Sequence, residues 1–379
     1  MPAITAFTPH WQHALDRLCE RVLQIRSAVG DAWPYHCDPV TGEWDTTQDG
    51  DWCGGHWVES LRIVGELAGN RALLAESTQR AERLRPYLER DDMFRGHRFY
   101  YAAARQYAWT GDRRHRNLAL AAAWAVRSMA MSSNGAMPIG TQVQVRSTTL
   151  SGRDKVCCDN VHPNLILDWW AYKETGDPSF IEGARRHLDL TARDFVLDDG
   201  SSIEFADYDV VTGQQIRHYT LLGAHDESCW SRGQAWVVAG YLRAWEALRD
   251  PRYLMIGTKC LRYWRDHSGP GGVPPWDFKD PALAMGEADV PLDTSASAIV
   301  VEQLARLALV RDAPAALDPI LEQLPVMLDG LLQHLNPEGR LLDGCFNQPR
   351  RYANRSELIW GTAYLLFALY YLKTGRVVE

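Results

Sequence analysis

Six times along the chain a long amphipathic segment stops and a second one begins a few residues later. The stops read Leu61 to Asn70, Ala104 to Asp112, Trp170 to Asp177 and Leu242 to Pro251, with weaker members at Leu304 to Asp312 and Leu366 to Gly375. Several stops are followed directly by another amphipathic segment, such as Arg71 to Glu89, Arg113 to Met131 and Ser179 to Leu197. In Thr175-Gly176-Asp177 the glycine supplies the left-handed turn that ends a helix. A recurrence of roughly 40 to 75 residues fits two helices plus two loops per unit. Six helical hairpins in succession predict an all-α chain closed into an (α/α)6 barrel, with residues 1–379 forming one catalytic domain. An open solenoid is the alternative, but it needs distinct polar capping repeats, and none stands out.

The loops are unequal. Those that join hairpin partners are short, whereas Asp49 to Trp57, Asp199 to Trp236 and Gly269 to Thr294 are long and rich in Gly, Trp, His and Asp. In a closed ring the long loops share one end of the central hole and make a cleft there. Alternation around a turn predicts a small β-hairpin near 203–219 in the cleft wall. His218 lies on that hairpin. Fifteen Trp and fifteen Tyr supply faces on which sugar rings stack, although any single one is by default a large core residue.

With a formal charge of −8 and a pI near 5.9 the chain offers no broad basic face, so nucleic acid and anionic membranes are not expected partners. Met1 to Gln24 mixes acidic residues into an apolar pattern and reads as an amphipathic helix instead of a signal peptide, and no stretch reaches the length of a membrane span. The eight cysteines show no CxxC pair and no zinc spacing. Reduced thiols and a cytoplasmic protein, monomeric or dimeric, are the expectation. There is no HExxH, P-loop, GxSxG or post-strand GxGxxG, so neither metal nor cofactor is expected. Acid/base chemistry by carboxylates is the class that remains.

One stretch concentrates the candidates. Cys158-Asp159-Asn160-Val161-His162-Pro163-Asn164 runs straight into the apolar segment Leu165 to Trp170, as a polar site at the mouth of a buried helix would. Asp159 is the candidate acid/base, with helix capping its competing role. Asn160 and His162 are candidate substrate contacts, and Asn164 is a cap or a contact. A second stretch, Asp226 to Trp236, carries Trp230, Arg232, Gln234 and Trp236 at a helix start. Arg and Gln there are costly to bury unless paired, so Arg232 is read either as a bidentate ligand for substrate oxygens or as half of an ion pair with Asp226. Leu292 to Ala298 reads as a helix of small residues capped by Asp293. Glu357 to Tyr364, with Trp360, opens the last helix and closes the cleft.

These stretches, together with Asp51-Trp52-Cys53-Gly54 and Val273 to Phe278, resemble the unsaturated glucuronyl hydrolases and the related unsaturated rhamnogalacturonyl hydrolases, in the expected order along nearly the whole chain. The resemblance implies an (α/α)6 barrel acting on unsaturated oligosaccharides by hydrating a vinyl ether, with Asp159 protonating C4 and then activating water for attack at C5. It also implies sugar contacts for Trp52, Trp230, Arg232 and Trp236. Two departures stand out. Where the family opens its second inner helix with His-Asp, this chain reads Arg95-Gly96-His97-Arg98-Phe99, leaving Asp92, His97 or Glu204 to supply the second polar group. Glu204 and Leu222 also stand where the family places a substrate-contacting His and a Gln, and a carboxylate in that place argues against the usual pose of an anionic substrate. Two other readings stay open: a related barrel hydrolase or hydratase acting on a neutral glycoside or a differently placed enol ether, and a carbohydrate-binding protein without chemistry.

Overall fold

The computed structural model describes residues 7–143, 150–287, 289–311 and 313–379. After a leading helix α1 (Pro9–Val29), helices follow as antiparallel pairs: α2 (Gly54–Leu67) with α3 (Arg71–Arg83), then α4 with α5 (Arg113–Arg127). Helix α4 starts as Arg95–Phe99 and runs on through a π turn, Tyr100–Ala104, into Arg105–Thr110. The pairs continue as α6 (Pro163–Thr175) with α7 (Pro178–Asp194), α8 (Ser231–Leu248) with α9 (Pro251–His267), and α10 (Thr294–Leu307) with α11 (Gln323–Leu332). The last helix, α12 (Ile359–Thr374), packs on α10, on α2 and on α1, which closes the ring. This is the expected (α/α)6 arrangement. The first six residues of the Met1 to Gln24 segment, and Asp312 at the fifth stop, lie outside the described residues.

Burial divides the helices into two rings. In α10 every residue from Thr294 to Leu307 is buried, and in α8 every residue from Ser231 to Trp245. Helices enclosed on all sides must be apolar or internally paired around their whole circumference. Pairing is visible in α2, where Glu59 takes Arg62 at 2.7 Å and Arg105 of α4 at 3.0 Å. The outer helices keep one stripe inward, as α7 does with Phe180, Ala184, Leu188 and Thr191.

The recurrent stops have a local cause. Gly111 and Gly176 adopt left-handed φ values of 70° and 72°, and the aspartate after each caps the next helix, Asp112 accepting from the Arg114 N–H and Asp177 from the Ser179 N–H, both at 2.9 Å. Asp250 does the same for Arg252 at 3.0 Å.

Two small antiparallel sheets decorate the end of the barrel where the inner helices begin. One orders β1 (Trp33–Cys37) between β2 (Trp44–Thr47) and β6 (Glu357–Leu358). The other places β4 (Phe205–Tyr208) between β3 (Lys155–Cys157) and β5 (Gln215–Tyr219), with Phe205 opposite Tyr219. The β4–β5 hairpin was expected from the sequence. The other strands run two to five residues, too short for alternation to show. Among the described residues no helix is long and apolar enough to cross a membrane.

Candidate active site

Each inner helix begins at the same end of the ring, so the residues just before and within their first turns converge. Trp52 precedes α2, Phe94 is the residue before α4, Asp159 lies in the turn before α6, and Trp230, Arg232 and Trp236 open α8. Together with Glu204, His97 and Phe346 they wall a cavity enclosing about 620 Å³ of space.

Asp159 does not cap α6; that helix starts at Pro163 with no side-chain cap, and the Asp159 carboxylate is left to the cavity. Its Oδ1 accepts a long contact from the Cys158 thiol, at 3.6 Å. Burial pushes its pKa up to about 6, a rise moderated by the positive charge of Arg232. The neighbouring carboxyl is Glu204. Its carbonyl accepts the Cys158 N–H at 2.9 Å, one step beyond the β3–β4 ladder. Its Oε2 is held by the Thr220 hydroxyl and by the N–H groups of Leu221 and Leu222 at 2.8 and 2.9 Å, while the buried Oε1 has no hydrogen-bond partner. Burial first and the Asp159 charge last push Glu204 up to about 7.

Aromatic rings make the closed end. Trp52 lies 4.7 Å from Trp360 and 5.0 Å from His97, which in turn stands edge-on to Trp236 at 5.3 Å. Burial depresses the His97 pKa well below its usual value, so the ring is neutral and its Nδ1 is unpartnered. Arg232 stacks on Trp230 at 4.5 Å, but its terminal nitrogens are taken by Asp293 at 2.6 Å and by the carbonyls of Cys345 and Phe346 at 2.7 and 2.8 Å. Its ion-pair partner is thus Asp293, the cap of α10, and not Asp226. Through those two carbonyls it anchors the 343–356 loop, where Asp343, Arg351, Ala353 and Arg355 all take left-handed φ values.

Several candidates stand away from the cavity. Asp92 is fully buried in a two-oxygen pair with Arg98 at 2.9 and 3.0 Å and also accepts the Phe94 N–H; Arg98 in turn donates to the Asp51 carbonyl at 2.7 Å. Asp92 therefore braces the loop that carries Trp52 and does not line the cavity. Asn160 donates to the Met137 carbonyl and accepts from Asn164, which itself receives the Gly96 N–H. His162 stacks behind Trp236 at 5.8 Å, and Gln234 spends its amide on the carbonyls of Gly200 and Cys260. Trp360 backs Trp52 as an inner layer, and His218 pairs with Glu227 at 2.8 Å on the hairpin's outer face. None of these five lines the cavity.

The first departure acquires a physical reason. A Cβ on Gly96 would come within 2.1 Å of the Pro163 carbonyl oxygen and 2.6 Å of the Asn164 Cα, because α4 and α6 touch backbone to backbone there. No acid fits at that position. Met93, Phe94 and His97 reach the cavity from this helix start; Met93 and Phe94 were missed in the sequence along with Ile139, Val143 and Phe346, because apolar residues in loops carry no motif.

Cys157, Cys158 and Asp159 bring two thiols and a carboxylate oxygen within 4.8 Å of one another. Burial pushes Cys158 up to about 12 and Cys157 well above its usual value, so without an ion both thiols are protonated.

No family model matches the chain. It is 31% identical over 196 residues to the unsaturated glucuronyl hydrolase of Formosa agariphila, covering 51% of this chain and 46% of that protein. It is 30% identical over 216 residues to the unsaturated chondroitin disaccharide hydrolase of Streptococcus pneumoniae, covering 54% and 53%, so the chain spans about half the length of these two relatives. Alignment with the unsaturated glucuronyl hydrolase of Bacillus sp. GL1 runs end to end, 26% identical over 377 residues and 97% of that protein. The crystal structure of unsaturated glucuronyl hydrolase from Bacillus sp. GL1 superposes with a TM-score of 0.85 at 25% identity, over 96% of this chain and 97% of that one. In sequence and in fold the chain is similar to the unsaturated glucuronyl hydrolases. Asp159 stands at the head of its third inner helix. The chain departs from the family pattern described above at Gly96, Glu204 and Leu222.

Proposed function

We propose that the chain is a glycoside hydrolase that removes an unsaturated uronyl residue from an oligosaccharide by hydrating its vinyl ether, with Asp159 as general acid and then general base. The observation that carries this reading is Asp159 itself: uncapped, facing an aromatic-walled cavity, and shifted so that a substantial fraction is protonated just below neutrality. The Asp159 proton goes to C4 of the 4,5-double bond, leaving positive charge shared between C5 and the ring oxygen. The carboxylate so formed takes a proton from water as the water oxygen bonds to C5. The hemiketal then opens at the C5–O5 bond to a C5 ketone, and the hemiacetal so formed at C1 breaks its bond to the partner sugar's oxygen and becomes an aldehyde, with no nucleophile attacking the anomeric carbon. One carboxyl serves both steps, which distinguishes this chemistry from two-carboxylate glycosidases.

Eight unpaired cysteines, seven of them buried, support work in a reducing compartment such as the cytoplasm. The test is ultraviolet absorbance of the conjugated unsaturated uronate while wild type and Asp159→Asn act on lyase-made disaccharides. Loss of the band with wild type alone is expected. A flat trace with both would overturn the reading and turn attention to neutral glycosides.

A further inference from the structure

The cavity is acidic and apolar where the reaction proposed above places the substrate's own charge. In a 4,5-unsaturated uronide the carboxyl group is attached to C5, the carbon that water attacks and the neighbour of the one that Asp159 protonates. A side chain beside Asp159 therefore faces that carboxyl. The side chain there is Glu204, 4% exposed, which lines the cavity with Oε2 held by three donors and Oε1 buried without a hydrogen-bond partner. Among the described residues the cation on the cavity wall is Arg232, and its terminal nitrogens are spent on Asp293 and two carbonyls. The remaining nearby wall is Phe94, Leu221 and Leu222. Beside Glu204 an ionised uronate would meet a like charge and apolar surface.

We propose that the site is built for unsaturated uronyl residues whose carboxyl is uncharged, as an ester or an amide, and that Glu204 is the residue that selects against the free acid. The proposal rests on the vinyl-ether reading above. An ester offers only a neutral carbonyl and an apolar alkyl group, which Leu221 and Leu222 can cover.

Selection follows the charge on Glu204. The groups facing it are Asp159 and the thiols of Cys157 and Cys158 beyond β3, the Thr220 hydroxyl after β5, and Arg232 and His97 across the cavity. The thiols are held protonated, His97 neutral, and Arg232 is always a cation, so the two carboxyls are what change near neutrality. When Glu204 binds a proton, its saturated Oε2 leaves only Oε1 to carry it, and the protonated group can then donate to a free acid.

The experiment compares kcat/KM for an unsaturated uronyl disaccharide and its methyl ester, at about pH 5.5 and about pH 8, with wild type and Glu204→Gln. Wild type at the higher pH is expected to favour the ester by about tenfold or more, the size of a partly screened like-charge contact. The ratio shrinks at the lower pH, and Glu204→Gln shrinks it at the higher one, because its amide is a permanent neutral donor. A wild type that prefers the free acid at the higher pH, or a ratio that ignores both pH and the substitution, overturns the assignment. If wild type consumes neither compound at either pH, the vinyl-ether reading itself falls, and this assignment with it.

Discussion

The backbone N–H of Cys158 donates to the carbonyl of Glu204 at 2.9 Å, so the residues on which Asp159 and Glu204 depend are joined by main chain and not by side chains. Two carboxyls that repel when both are ionised are thereby kept together by the β3–β4 ladder. The arrangement holds whatever their charge.

Asp159→Asn is expected to lower kcat by about a thousandfold, within the range for loss of a general acid/base, while a calorimetric titration still detects disaccharide binding. The same variant should gain stability as pH rises. The folded-state pKa of Asp159 is about 6 against an ordinary 3.8, so the folded protein binds more protons in between. Its stability contribution is full below about pH 4 and is lost as pH climbs through 6. Urea unfolding at pH 5 and pH 8 should show the variant pulling ahead by roughly 1–3 kcal/mol at the higher pH, the carboxyl being partly solvated.

Asp92→Ala should act on stability first. It strands the Arg98 guanidinium with both members of the pair fully buried, a loss of about 3–5 kcal/mol measurable by denaturant unfolding. An unchanged midpoint with lost turnover would restore Asp92 to the chemistry.

Gly96→Ala tests the backbone crossing of α4 and α6. A methyl placed 2.1 Å from the Pro163 oxygen forces the helices apart, and a cost of about 3 kcal/mol or more in unfolding free energy is expected. Wild-type stability would show that the crossing relaxes freely.

Arg232→Lys keeps the charge but loses the planar fork that reaches Asp293 and two carbonyls at once. A loss of about 1–3 kcal/mol is expected, with KM raised because Phe346 on the anchored loop moves. Unfolding and steady-state kinetics read the two effects separately.

The barrel was legible because its punctuation is local: a left-handed Gly111 or Gly176 followed by a capping Asp acts within a few residues and leaves a fixed mark in the sequence. The gathering of Asp159, Trp230 and Arg232 could be anticipated because all three sit at helix starts. What a charged residue does there depended on partners far along the chain. Arg232 could be given a partner only by knowing that Asp293 lies across from it, and Asp92 looked available until Arg98 was seen to enclose it. Phe94 was invisible for the opposite reason, since a phenylalanine before a helix signals nothing until a cavity is found beneath it.

Ring closure by α12 bears on how the molecule is made. The flank of α2 that α12 covers is synthesised before the four helix pairs that run from α4 to α11, and its cover emerges from the ribosome only after them. Until then the wall is an open arc with an apolar flank exposed at each end, the condition in which nascent chains associate with one another. Chains interrupted within α12 are therefore expected to accumulate as insoluble material, even though every residue of the cavity described above would already have been translated.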